Sequence, residues 1–261
     1  MSFRWTPRYA PGRSHVSLVT HNAGQGSRGQ FYDFVAAENP DIIALQDARG
    51  RAAELGRKYP THRVITRGEF CLASRFPVLH SDSVEQAKWF NRPVAARFEL
   101  LCHDRPLIIY TVHLPTPRRE LSRFLSGRAI VDVFADEDAA RRSLSYDAWT
   151  RARLKLANDL AGVFARESLP FIVCGDFNTP DHGVIYHTIA RGLTDAHLSA
   201  GRGWGFTFPG STRNPLTLGG PWLRLDYAFA GRGWTPVYCA PEPGRRSQHC
   251  AVVARFAPKA G

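Results

Sequence analysis

Asp176 and Asn178 stand two positions apart at the end of an apolar run, FIVCGDFNTP over residues 171–180. Side chains alternate along an extended chain, so an acid and an amide at this spacing point the same way. The pair can face one bound group, with Phe177 turned into the core. Other polar residues stand in a similar relation to apolar runs. Asn22 follows the run at 16–20, Asp47 follows DIIALQ, His113 ends LIIYTVH, Asp226 lies within LRLDYAFA, and His249 precedes the run at 251–256. Acids, amides and imidazoles are the groups that accept, hold and donate protons around a bound polar group. Each also suits an ordinary structural role. Asp176 and Asn178 suit a strand-to-turn junction, with Thr179-Pro180 after them. Asp47 suits a helix cap, and His113 and His249 suit hydrogen-bonded core histidines. Asp226 is harder to dismiss, because an acid inside a strand wants a partner. Together these sites fit one shared pocket better than separate coincidences.

The elements that must position them are short and apolar. Residues 171–174 and 41–45 read as buried strands, and 16–20 and 107–112 as further strands. Residues 64–66, 71–73, 84–87 and 94–101 read as consecutive strands. Helical spacing covers 31–38, which stops at Asn39-Pro40, then 52–58, and shorter stretches at 182–191 and 194–198. Residues 147–166 predict a long amphipathic helix, with Arg151, Arg153 and Lys155 on a basic face. The segment 116–146 is rich in arginine and acids without a clean period, and reads as an excursion over the site's mouth. GWGFTFP at 203–209 is an aromatic, Gly-rich loop or tight bend, and 223–230 alternates as a half-buried strand. No repeat or linker interrupts the chain. One domain over 16–257 is expected, with a basic extension at 1–15 and a short tail at 258–261.

The 261 residues are 44% hydrophobic, enough to bury a substantial core and to exclude disorder as the default. The formal charge of +11 comes mostly from arginine, which suits bidentate contact with phosphate. That balance fits a nucleic acid or an anionic membrane surface; a basic, soluble surface without such a partner is the plain alternative. The five cysteines are odd in number and form no Cys-x-x-Cys pair, which argues against zinc and thiol-redox chemistry. No run has the length of a membrane span, and the first fifteen residues lack an apolar signal-peptide core. A cytoplasmic location is the default expectation, or a membrane-proximal one if a segment precedes this chain.

The order Asn22, Gln46-Asp47, His113, Gly175-Asp176-Phe177-Asn178, Asp226-Tyr227 and Gln248-His249 resembles the endonuclease/exonuclease/phosphatase superfamily, in its small bacterial branch. The resemblance spans nearly the whole chain, and GDFN after a buried strand is its most specific part. It implies an α/β (α+β) fold, a four-layer α/β/β/α sandwich of two mixed, mainly antiparallel sheets flanked by helices. It also implies a hydrolase that breaks phosphate esters with the aid of Mg²⁺ or Mn²⁺. On that pattern Asp47 is the main metal ligand, with Asn22 assisting and Gln248 at a weaker position. Asp176 orients or deprotonates the attacking water and Asn178 holds that geometry. His249, partnered by Asp226, meets the phosphate as an imidazolium, and His113 adds a second donor.

Three positions depart from the family's pattern. Asp47 replaces a glutamate, which withdraws the carboxylate by about 1.5 Å. Gln248 replaces an aspartate, and Gly24 stands where some repair endonucleases carry an acid. Less charge around the metal implies weaker magnesium affinity than in relatives. For the substrate, a nuclease acting on DNA, or alternatively RNA, is the first expectation. Arg118, Arg119, Trp204 and Tyr227 are then the expected substrate contacts, with further basic groups at Arg123 and Arg128. A phosphatase or phosphodiesterase on a small or lipid-linked phosphate is the alternative. A non-catalytic binding module comes third, and no protein partner is expected.

Overall fold

The computed structural model describes residues 15–24, 30–116, 146–210, 220–243 and 248–259. The chain begins with β1 (Val16–Asn22), α1 (Gln30–Glu38), β2 (Ile42–Gln46), α2 (Ala52–Lys58), β3 (Arg63–Arg67), β4 (Phe70–Ser74) and β5 (Val78–Ser83). A small hairpin, β6 (Lys88–Trp89) and β7 (Arg92–Pro93), leads to β8 (Ala95–Cys102) and β9 (Arg105–His113). Then come α3 (Tyr146–Arg166), β10 (Phe171–Asp176), α4 (Val184–Ile189), β11 (Thr194–Asp195) and α5 (Ala196–Ala200). The chain closes with β12 (Asp226–Ala230), β13 (Trp234–Pro241) and β14 (Val252–Pro258).

Two six-stranded sheets result, in the orders β13-β14-β1-β2-β4-β3 and β11-β12-β10-β9-β8-β5. Each has one parallel pair near its middle, β1 with β2 and β9 with β10; the remaining pairs are antiparallel. The central strands are apolar at almost every position because both of their faces are covered. Leu18, Ile42, Ala44, Ile109, Ile172 and Cys174 fill the space between the sheets. Val19, Ile43 and Leu45 face outward onto Phe31, Val35 and Leu55 of α1 and α2. Tyr110, Val173 and Phe171 face outward onto Leu156, Leu160 and Phe164 of α3 and Ile185 of α4. The layers are therefore helix, sheet, sheet, helix.

Register then places the polar residues. Asp176 of β10 pairs with His113 on one side and with Asp226 on the other, forming one row across the second sheet. Asn22 pairs with Gln46 at the end of β1 and β2. By alternation all five share the inner faces with the residues that pack the sheets together. Just beneath the row, the buried Gln46 amide donates to Thr20 Oγ1 at 3.0 Å and to Thr111 Oγ1 at 2.8 Å, tying one sheet to the other.

Several element limits differ from expectation. The strand sought at 84–87 lies at Val78–Ser83, where β5 pairs with β8. The helix sought at 194–198 starts at Ala196, because Asp195 caps it through the N–H groups of His197 and Leu198. The strand over 223–230 begins only at Asp226, so the acid lies at the strand's end and not inside it. The stretch at 182–191 is helical only over Val184–Ile189.

Candidate active site

Asp176 is the floor of the site, at 0% exposure. Gly175 before it has φ +139°, and a Cβ there would run into the main-chain oxygen of Val112, so only glycine lets β10 approach β9 this closely. Asp176 Oδ2 accepts from Asn22 Nδ2 at 2.8 Å and from Asn178 Nδ2 at 3.0 Å, while Oδ1 accepts from the Asn178 N–H at 2.8 Å. Asn178 has φ 47°, a conformation that asparagine tolerates better than most residues. Its amide also donates to the Leu114 carbonyl at 2.9 Å. Arg153 of α3 clasps the same turn from outside, donating to the carbonyls of Phe177 and Asn178 at 2.9 Å each. This corrects its placement on a basic solvent face: Arg153 is buried, while Arg151 and Lys155 are exposed.

Two imidazoles stand over the floor. His113 Nε2 and His249 Nε2 each lie 3.8 Å from Asp176 Oδ2, beyond direct hydrogen-bonding distance. Each ring has a carboxylate at its other nitrogen. Asp226 Oδ2 accepts from His249 Nδ1 at 2.9 Å, and Glu69 Oε1 accepts from His113 Nδ1 at 2.8 Å. Glu69 is held in turn by Arg92 Nη1, 2.6 Å from both carboxylate oxygens. Burial alone would push His113 down, but the Glu69 hydrogen bond and the charges of Asp176 and Glu69 outweigh it and hold the imidazole above its ordinary value. Burial would likewise raise Glu69, yet His113 and Arg92 hold it below. Asp226 goes the other way, because burial and the charge of Asp176 outweigh the attraction of His249.

Sequence reasoning missed Glu69 and Arg92. Glu69 sits in the turn between β3 and β4 and Arg92 at the hairpin, where an exposed charge is ordinary. The only available signal was an acid directly ahead of the buried run FCLAS.

Asp47 is exposed and has φ 47°, which favours a short acid over glutamate. Its carboxylate occupies the space above Gly24. A Cβ on Gly24 would run into Asp47 Oδ2 and stand 3.2 Å from Asn22 Oδ1. Gly24 thus opens a cradle in which a carboxylate oxygen and an amide oxygen lie side by side, the hard donor set that suits Mg²⁺ or Mn²⁺. Asn22 joins this cradle to the floor, since its Nδ2 bonds Asp176 and its Oδ1 accepts from the Gly24 N–H at 3.0 Å. Among the described residues, Asp176, Asp226 and His249 also have ligand atoms within 4.8 Å of one another. Gln248 is half-buried beside His249, and its main-chain carbonyl accepts from Gly210.

The aromatic loop is partly scaffold. Thr207 Oγ1 accepts from the N–H groups of Leu225 and Asp226, and the Phe208 ring lies 5.0 Å from that of His249. Trp204 stacks on Phe206 and is exposed, as are Trp222 and Phe90. Tyr227 is not a surface contact. It is 2% exposed, packs on Phe177 and Phe229 in the outer core, and donates to the carbonyls of Thr179 and Arg224. Its odd position in β12 turns it away from the row that holds Asp226. Arg118, Arg119, Arg123 and Arg128 lie outside the described residues.

Solved structures that superpose on this one share its fold at low identity. A Bacteroides thetaiotaomicron mannosyl-6-phosphatase superposes with TM-score 0.66 at 12% identity, over 93% of this chain and 99% of that one. D. rerio TDP2 complexed with a single-strand DNA product gives TM-score 0.65 at 14% identity, over 93% and 99%. A Beutenbergia cavernae endonuclease/exonuclease/phosphatase gives 0.64 at 15%, over 95% and 72%. No curated protein sequence matches. A model of the endonuclease/exonuclease/phosphatase family matches residues 19–249, a span that holds every residue of the floor, both imidazoles and the cradle, and the chain belongs to that family.

Proposed function

We propose that this protein is a metal-dependent phosphodiesterase that hydrolyses nucleic acid, DNA before RNA. The observation that carries the reading is the pair of imidazoles, each backed by a carboxylate and each 3.8 Å from one buried oxygen of Asp176. Two cationic donors converging on one point suit the non-bridging oxygens of a phosphodiester, where charge develops as the ester bond breaks. Asp176 takes the proton of the attacking water, and Asn22 and Asn178 hold its carboxylate in place. His249, fixed through Nδ1 by Asp226, and His113, fixed by Glu69, turn Nε2 toward the phosphoryl oxygens. Asp47 and Asn22 are the residues that would hold Mg²⁺ or Mn²⁺, and charge neutralisation at the phosphate is the chemistry it would supply there. The net charge of +11 and the DNA bound to one structural neighbour support a polynucleotide over a sugar phosphate.

Purified protein is assayed on circular DNA, linear DNA, RNA and a phosphomonoester, each with Mg²⁺, Mn²⁺ and chelator. Cleavage of a polynucleotide that chelator abolishes is the expected result, and Asp176→Asn should lower kcat by about 10²–10⁴-fold. Turnover of the phosphomonoester alone would replace this reading with a phosphatase. Activity that persists in Asp176→Asn would remove Asp176 from the chemistry.

A further inference from the structure

The hairpin of β6 and β7 stands at the edge of the site. β8 begins at Ala95, opposite Val112 of β9, and β5 ends at Ser83, opposite Ala96. Residues 84–94 therefore project past the sheet edge at which His113, Asp176 and Asp226 lie in a row. Two contacts fix this projection to His113. The Val94 carbonyl accepts from the His113 N–H at 2.8 Å, and Arg92 grips Glu69, the acid that holds the His113 ring. Within the hairpin Trp89 pairs with Arg92, which leaves Phe90 and Asn91 as its two turn residues.

Phe90 is out of keeping with a turn. It is 67% exposed and has φ 53°, in a place that a two-residue hairpin gives to glycine or asparagine. A bulky ring in this conformation is strained, and at this exposure burial does not offset the strain. Backbone strain of this kind collects at active sites and ligand clamps. The ring is also supported. It meets Trp89 edge-on, with centroids 5.3 Å apart, and Trp89 packs against the outer core.

Four residues lead from Phe90 to Val94, a reach of at most about 14 Å. The ring therefore stands within a few nucleotides' span of a phosphate held over Asp176. An open, flat ring at that distance matches an unpaired base, and every base has a face to stack. We propose that Phe90 is a stacking platform for one nucleobase of the substrate strand, on the His113 side of the scissile phosphate. The platform rests on the nuclease reading for the class of its ligand. It favours strands with unpaired bases and discriminates weakly among sequences, because stacking reads no base edge.

The test is a fluorescence titration at low salt in Mg²⁺, using single strands with phosphorothioate linkages that resist hydrolysis. The strands carry 2-aminopurine, a base whose emission falls on stacking, at successive positions. Wild type should quench one or two adjacent positions, and Phe90→Tyr should keep that pattern. Phe90→Asn, which suits φ 53°, should lose it with an undiminished melting temperature. Its affinity for the strand should fall about tenfold, while an oligomer of abasic units should bind both proteins alike. On a cleavable strand the same variant should raise KM and leave kcat, the mark of binding shared by ground and transition states. Unchanged quenching in Phe90→Asn, or an equal loss of affinity for the abasic oligomer, overturns the platform. Wild type that binds no strand overturns it together with the nuclease reading. Quenching that depends on Phe90, without cleavage of any polynucleotide, upholds the platform and removes the nuclease reading alone.

Discussion

His21 is fully buried against Phe31, with ring centroids 4.5 Å apart, and neither of its nitrogens has a hydrogen-bond partner. Burial, with the nearby charges of His249 and Arg51, pushes the imidazole down to about 3. The unfolded chain therefore takes up this proton first. The contribution to stability is complete above pH 6.5 and is lost as pH falls toward 3, about 2 kcal/mol between pH 7 and pH 5. His21→Phe keeps the stacked ring and removes both orphaned atoms. Denaturant melts should show the variant gaining on wild type by roughly that amount at pH 5 and by less at pH 8. A gap that does not change with pH would assign the acid sensitivity elsewhere. Gly24 offers a second test at this scale. Gly24→Ala places a methyl where the Asp47 carboxylate lies, so calorimetric Mn²⁺ affinity should fall about tenfold or more, near 1.4 kcal/mol, with the fold intact. Unchanged affinity would mean that Asp47 is not a ligand.

At the scale of elements, the site is a product of strand parity. Residues 18, 20 and 22 of β1, 109, 111 and 113 of β9, 172, 174 and 176 of β10 and 226, 228 and 230 of β12 all face inward, and each set ends or begins on a side chain of the candidate site. That much was legible in the sequence, because an apolar strand that ends on a polar side chain carries it to the edge of its sheet. Parity also turns Tyr227 outward with Phe229, a point that the neighbouring acid obscured. Glu69 was illegible for a different reason: it reaches His113 from a turn 44 residues away, and no local pattern reports such a contact. Arg153 read as a basic surface residue because helical spacing cannot show which carbonyls lie beneath it. The Glu69 turn carries its own prediction. The carboxylate raises His113, so activity that needs the imidazolium falls as pH rises through that raised value. Glu69→Gln removes the charge and should move the alkaline limb of the kcat/KM profile to lower pH. A limb that stays in place would leave His113 out of the titration.

For the whole molecule, a charge of +11 predicts binding dominated by phosphate contacts. Affinity for a single-stranded oligonucleotide should drop steeply between 50 and 200 mM salt, by about 300-fold if six phosphates are met. A flat salt dependence would remove nucleic acid as the partner. Topology adds a constraint of another kind. β14 sits between β13 and β1, so Val16 lies opposite Phe256, and His249 enters the site only three residues before that last strand begins. Asn22 and Asp47 are synthesised about two hundred residues before His249. A chain that carries the cradle and the floor but not His249 has one imidazole over Asp176 and lacks β14, the antiparallel neighbour of β1.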